Sequence, residues 1–171
     1  MDFIKLAQNR YSVRSYAEKE VEEEKVQKIL KAAQIAPTAK NCQPQKIYVL
    51  KSLEVLEKIR SVVRSAYNAP IVFLICADQD LSWRNPLEKD YDSGEMDASI
   101  VTAHMMFEAE ELGLGSVWVR WYDPIQVAQI FNLPDNIKPI CLLPVGYPAL
   151  GSHPSPQHEA SRTMEEMVVE L

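Results

Sequence analysis

Ile71-Val72-Phe73-Leu74-Ile75-Cys76-Ala77 is an unbroken apolar run that follows Asn68-Ala69-Pro70 and stops at Asp78. A helix that spans a bilayer needs about 20 apolar residues, so this run is far too short for one. A half-exposed strand would alternate apolar with polar residues, and this stretch does not. It reads as a central strand buried on both faces. A central strand needs neighbours, and Gln45 to Leu50, Ser116 to Trp121 and Pro139 to Val145 are the strand-like candidates. The chain has 171 residues and is 47% hydrophobic, enough for one sizeable core but hardly two. Residues 1–171 are therefore expected to form one domain.

Helical periods fill the intervals. Asp2 to Asn9 places Phe3, Leu6 and Ala7 on one side. Glu22 to Ile35 repeats Val26, Ile29, Leu30 and Ala33, with Glu22, Glu23 and Glu24 suited to its positive N-terminal end, and Pro37 stops it. Leu53 to Val63 is a further helix. Gly94 to Leu112 spreads Ile100, Val101, Met105, Met106, Phe107, Ala109 and Leu112 over more than one stripe, which fits a helix covered on several sides by a core or a dimer interface. Gly113 supplies a left-handed C-cap residue. Asp123-Pro124 opens another helix as N-cap and first residue. Asp78 to Ser93 lacks any period and reads as a surface loop that could cover a site. From Pro148 onward the chain reads as an arm, with a last apolar stretch at Met164 to Val169.

With 24 acidic and 18 basic residues the net charge is −6, which argues against a broad footprint for nucleic acid or an anionic membrane. Met1 to Lys5 lacks the basic and apolar regions of a secretory signal, so a soluble, cytoplasmic protein is expected. Cys42, Cys76 and Cys141 form no close pair, which fits reduced thiols. Cys76 and Cys141 lie in strand-like runs and read as small core residues.

Two segments carry chemistry. Arg10-Tyr11-Ser12-Val13-Arg14 in extended form would turn Arg10, Ser12 and Arg14 to one face. Two guanidinium groups and a hydroxyl there could hold a phosphate, or could be solvated side chains in a turn. Ala36-Pro37-Thr38-Ala39-Lys40-Asn41-Cys42-Gln43-Pro44-Gln45 offers uncharged donors and acceptors suited to a planar heterocycle, or ordinary turn chemistry between prolines. His104 on an apolar helix reads as a core or interface histidine rather than a catalyst. His153 and His158 lack a third metal ligand, and Asn68 before Ala69-Pro70 fits a turn as well as a contact. No Rossmann-type glycine fingerprint is present.

Those two segments, followed by Gly113-Leu114-Gly115-Ser116-Val117-Trp118 and then Leu142-Leu143-Pro144-Val145-Gly146-Tyr147-Pro148, resemble in this order the nitroreductase-like FMN enzymes. The resemblance implies an α+β fold with a mainly antiparallel central sheet flanked by helices, in an interlocked homodimer. It implies FMN as cofactor, bound by the first segment, with Arg10 and Ser12 at the phosphate and ribityl end, Arg14 near the pyrimidine edge of the flavin, and Tyr11 among the cofactor contacts. Pro37, Thr38, Asn41 and Gln43 would reach the same flavin from the second subunit. The implied activity is ping-pong reduction of nitroaromatics, quinones or similar acceptors by NAD(P)H through flavin N5, with no side-chain acid or base. A specialised FMN dehydrogenase, or a flavin-binding or sensing protein with little turnover, is the alternative.

The chain departs from the family pattern in two places. A small residue usually follows the tryptophan of the third segment, where a backbone N–H meets flavin N5. Here Val119-Arg120-Trp121 stands instead, and Arg120 and Trp121 are expected to narrow the pocket or add an anion contact. The family tail supplies basic residues to the phosphate. Only Arg162 fits that role here, with His158 as a partial substitute.

Overall fold

A computed structural model describes residues 2–171. In chain order it contains α1 (Phe3–Asn9), α2 (Glu23–Ile35), β1 (Gln45–Leu50), α3 (Leu53–Val62), β2 (Ile71–Asp78), α4 (Gly94–Glu111), β3 (Gly115–Ser116), α5 (Pro124–Phe131), β4 (Ile137–Gly146) and α6 (Met164–Met167). The strands order β1-β2-β4-β3, and each neighbouring pair is antiparallel.

The apolar run sits at the centre of this sheet. Ile71, Phe73, Ile75 and Ala77 pack with Val26 and Ile29 of α2 and with Ala98, Val101 and Met105 of α4. Val72, Leu74 and Cys76 point the other way, toward Leu56 and Ile59 of α3 and Val127 of α5. Successive side chains of a strand face opposite sides. A run apolar at every position therefore serves two helical layers at once.

Local chemistry explains most element ends. Asp2 accepts the Ile4 N–H at 3.1 Å and caps α1. Asp123 accepts the Ile125 N–H at 2.8 Å and caps α5, with Pro124 behind it. At the end of α4 the Gly113 N–H donates to Glu110 O and the Leu114 N–H to Ala109 O. Gly113 turns left-handed there at φ 73°, the geometry of a Schellman cap. Glu22 occupies the N-cap position of α2 without capping it, because its carboxylate accepts the Tyr147 hydroxyl at 2.7 Å.

The expected strand from Ser116 to Trp121 shortens to Gly115–Ser116. Its course past Ser116 still keeps register with β4, since Gly115 faces Gly146, Ser116 faces Val145 and Val119 bridges Leu142. The Val117 N–H donates to Pro144 O at 3.3 Å, but Pro144 has no N–H to return. The ladder lapses at that proline and resumes only as the Val119–Leu142 bridge.

Candidate active site

Arg10 leaves α1 in extended conformation, and the next residues are stitched to the sheet edge. Ser12 forms a parallel bridge with Ser116, and the Val13 N–H donates to Ser116 O at 3.0 Å. Val13 is buried against Gly115, where an added Cβ would lie 2.4 Å from Val13 Cγ2. The glycine therefore lets this segment approach the sheet. Farther along, the Tyr16 hydroxyl reaches Val13 O at 2.9 Å and Pro144 O at 3.1 Å, and burial pushes its phenol pKa well up.

With the backbone held in this way, Arg10, Tyr11, Ser12 and Arg14 line a cavity of about 310 Å³ together with Ser155, Gln157 and His158. The expected cluster of two guanidinium groups and a hydroxyl thus opens on one space. Arg14 Nη1 donates to Ser12 O at 3.2 Å. Arg10 also acts on Glu110, whose carboxyl is raised by burial and pulled back in part by that guanidinium. The tail closes the opposite side. His158 lies 2.9 Å from Gln8 O through Nε2 and meets the Tyr11 ring edge-on at 6.4 Å, while the Tyr11 hydroxyl donates to Ser152 Oγ.

Arg162 does not line this cavity. Its Nη2 donates to Glu166 O at 2.7 Å, within the turn that Thr163 and Glu166 cap. Of the two tail residues considered for the basic contact, His158 is the one beside Arg10.

The 37–43 loop lies elsewhere and contributes nothing to that lining. Lys40, Asn41 and Gln43 all have left-handed backbones, at φ 48°, 56° and 51°. A non-glycine residue in that region costs on the order of 1–3 kcal/mol, and such strain gathers at functional loops. The Thr38 hydroxyl accepts the Gln43 N–H at 3.0 Å, and Gln43 Nε2 donates to Asn41 Oδ1 at 2.9 Å. Ala39 N–H donates to Asp97 Oδ1 at 2.9 Å. Asp97 is 2% exposed and was not among the residues singled out from the sequence, although a carboxylate beside Ala98 and Val101 on an apolar helix was a visible signal.

Arg120 and Trp121 do not line the Arg10 cavity. Trp121 is 89% exposed, and the Arg120 guanidinium lies 5.5 Å from the centre of the Tyr122 ring. The Tyr122 hydroxyl is buried without a hydrogen-bond partner among the described residues. Burial raises its pKa, helped by the Cys141 thiol and opposed by Arg120. His104 Nδ1 meets Ile100 O at 2.9 Å and lines an apolar groove of about 590 Å³ with Phe3, Leu6, Ile35, Ile100 and Phe107. No helix among the described residues is long and apolar enough to cross a membrane.

An antiparallel four-stranded sheet between helical layers, with a basic, hydroxyl-lined cavity at its β3 edge, defines the class of fold. The nitroreductase family model matches residues 7–68 and 63–147, and the chain belongs to the nitroreductase family. A crystal structure of a nitroreductase family protein from Clostridium difficile 630 shares 40% identity and superposes with a TM-score of 0.92, over 99% of this chain and 98% of that one. An FMN-dependent nitroreductase from Clostridium difficile R20291 shares 30% identity at a TM-score of 0.72, over 85% and 87%. The Bacillus subtilis protein named FMN reductase [NAD(P)H] is 28% identical over 173 residues, 91% of this chain and 70% of its own.

Proposed function

We propose that the protein is an NAD(P)H-dependent FMN oxidoreductase that reduces nitroaromatics, quinones or related acceptors, and that it works as a homodimer with sites shared between subunits. The observation that carries this reading is the cavity at Arg10, Ser12 and Arg14. Two guanidinium groups, a serine hydroxyl and His158 converge on it in a chain of net charge −6. That donor set suits a phosphate monoester, which charge-assisted and bidentate contacts hold best. Related proteins named FMN reductase and FMN-dependent nitroreductase support FMN as its bearer.

Arg10, Ser12 and His158 would hold the phosphate, with Tyr11 walling the cavity and Arg14 beside the ring's pyrimidine edge. Pro37, Thr38, Asn41 and Gln43 would meet the ring from the partner subunit. Their separation from the Arg10 cavity within one chain is consistent with two half-sites that complete one another. The apolar groove with exposed Phe3 and Ile35 offers the surface on which two copies would meet. Bound FMN supplies two-electron transfer between NAD(P)H and an acceptor. The protein's part is to bind the phosphate, orient the ring with uncharged donors and exclude water. The backbone near Arg120 and Trp121 would face the ring, and their side chains would shape the acceptor entrance.

The test is the absorption spectrum of purified protein, with flavin bands expected to bleach on anaerobic addition of NADH or NADPH and to return with a quinone. Initial rates varied in both substrates should give the parallel-line pattern of a ping-pong enzyme. A protein that neither retains nor rebinds FMN refutes the assignment.

A further inference from the structure

Between β2 and α4 the chain makes an excursion, residues 79–93, whose base is tied by hydrogen bonds. The Trp83 N–H donates to Ser93 Oγ at 3.2 Å, and the Ser93 N–H donates to Trp83 O at 2.9 Å. Ser93 occupies the N-cap position of α4 yet makes no capping bond. Its hydroxyl donates instead to Asp97 Oδ2 at 2.7 Å. The other oxygen of that carboxylate accepts the Ala39 N–H at 2.9 Å. Ala39 opens the 3-10 turn Ala39–Asn41, and the first amides of a helical turn have no partner within it. Thr38, the residue that would ordinarily cap the turn, has its hydroxyl engaged by the Gln43 N–H. The orphan amide is therefore satisfied from another element.

A relay of hydrogen bonds thus runs from the excursion through Ser93 and Asp97 into the 37–43 loop. A second contact runs beside it, with Lys40 Nζ 5.9 Å from the centre of the Trp83 ring, at the outer limit of cation–π attraction. Asp97 and Ser93 are each 2% exposed. Burying a carboxylate is costly unless it is well paired, and the partners here are an N–H and an O–H. Such a group contributes placement more than net stability. The loop it holds is the one that keeps Lys40, Asn41 and Gln43 in left-handed conformations.

We propose that Asp97 is a positioning residue that, with Ser93, fixes the 37–43 loop against the excursion and so sets how that loop presents itself to the flavin ring. The inference rests on the reading of this loop as a flavin contact. It predicts that changing the excursion's base alters flavin binding from the ring side and leaves the phosphate side untouched.

The experiment uses Ser93→Ala, Asp97→Asn and Asp97→Ala in the full chain, with Asn41→Ala as a direct loop variant. Three readouts are taken: amide exchange of the peptide covering 37–43, affinity for FMN and for riboflavin, and the visible circular dichroism of the bound flavin. Ser93→Ala and Asp97→Ala should speed exchange in 37–43. They should weaken FMN and riboflavin by the same factor, about tenfold for Asp97→Ala, the low end for losing a hydrogen bond to a charged group, and alter the dichroism. Asp97→Asn keeps an acceptor for the Ala39 N–H, and its amide N–H can donate to Ser93 Oγ in place of the bond the carboxylate accepted, so it should stay within about threefold of wild type. Should Asp97→Ala not fold, Ser93→Ala and Asp97→Asn carry the comparison. Unchanged exchange in 37–43 for Ser93→Ala overturns the coupling. Weakened flavin binding in Asn41→Ala with none in Ser93→Ala or Asp97→Ala overturns the positioning role. Faster exchange with flavin binding unchanged in every variant, Asn41→Ala included, refutes instead the reading of the loop as a flavin contact.

Discussion

Replacing Arg10 by Ala should weaken FMN binding, and the structure bounds by how much. Arg10 is half-buried and shares its cavity with Ser12, Arg14 and His158. One hydrogen bond to a charged group contributes about 1.5–3 kcal/mol. At about 1.4 kcal/mol per tenfold, the dissociation constant should rise roughly 10- to 150-fold. The local charges favour the upper part of that range, because losing Arg10 also leaves the Glu110 carboxylate without its nearby cation. Arg162 is the control. It is engaged with Glu166 outside the cavity, so Arg162→Ala should change affinity by less than about threefold, the ordinary yield of an exposed charge. Fluorescence titration with FMN, repeated with riboflavin, provides the assay. Riboflavin lacks the phosphate, so its affinity should be the same in wild type and Arg10→Ala. FMN binding by Arg10→Ala within twofold of wild type, or a greater loss in Arg162→Ala, would refute the phosphate assignment.

Phe73→Ala, at a fully buried central position, should cost about 3–5 kcal/mol and lower Tm by roughly 6–20 °C by calorimetry. The wild-type chain should sediment as a dimer, and a charge in the apolar groove, Phe107→Glu, should shift it toward monomer and release FMN with it; a monomeric wild type that holds FMN would argue against shared sites, and a variant that stays dimeric against that surface. Glu22 is held down to about 2, first by the Tyr147 hydroxyl and then by its own backbone N–H. Its folded value lies below the ordinary 4.5, so its stabilising contribution is present above that value and lost as pH falls toward 2. Glu22→Gln should flatten acid unfolding in that window, measured as Tm against pH. Burial pushes the Cys76 and Cys141 thiols up to about 12, whereas Cys42 is only half-buried. A thiol reagent at pH 8 should therefore label Cys42 alone in the native protein, with the other two appearing only on unfolding.

Much of this molecule is legible locally. An apolar run without alternation marked β2 as doubly covered, and caps such as Asp123-Pro124 and Gly113 marked helix ends, because those signals act over a few residues. Arg10, Ser12 and Arg14 were readable as a group because an extended pentapeptide brings them to one side without help from the rest of the chain. Element bounds fell within a residue or two, apart from the strand after Gly115, where the effect of Pro144 depends on which residue pairs with it.

Other features were set only by packing. The order β1-β2-β4-β3 places β4 beside β2 although α4, β3 and α5 lie between them in sequence, and nothing within either segment specifies that neighbour. His158 reaches Gln8 across 150 residues of sequence, and Asp97 reaches Ala39 across 58. Each is one hydrogen bond whose partner is chosen once the sheet and α4 are already assembled. The sequence alone determined which segments are helix or strand and where cationic and uncharged polar groups are concentrated, since these depend on neighbouring residues. Tertiary structure decided that His158 rather than Arg162 faces Arg10 within one chain, and that the 37–43 loop is held by Asp97. In both cases the choice lies in the distance between segments far apart in sequence, and only the packed core determines that distance.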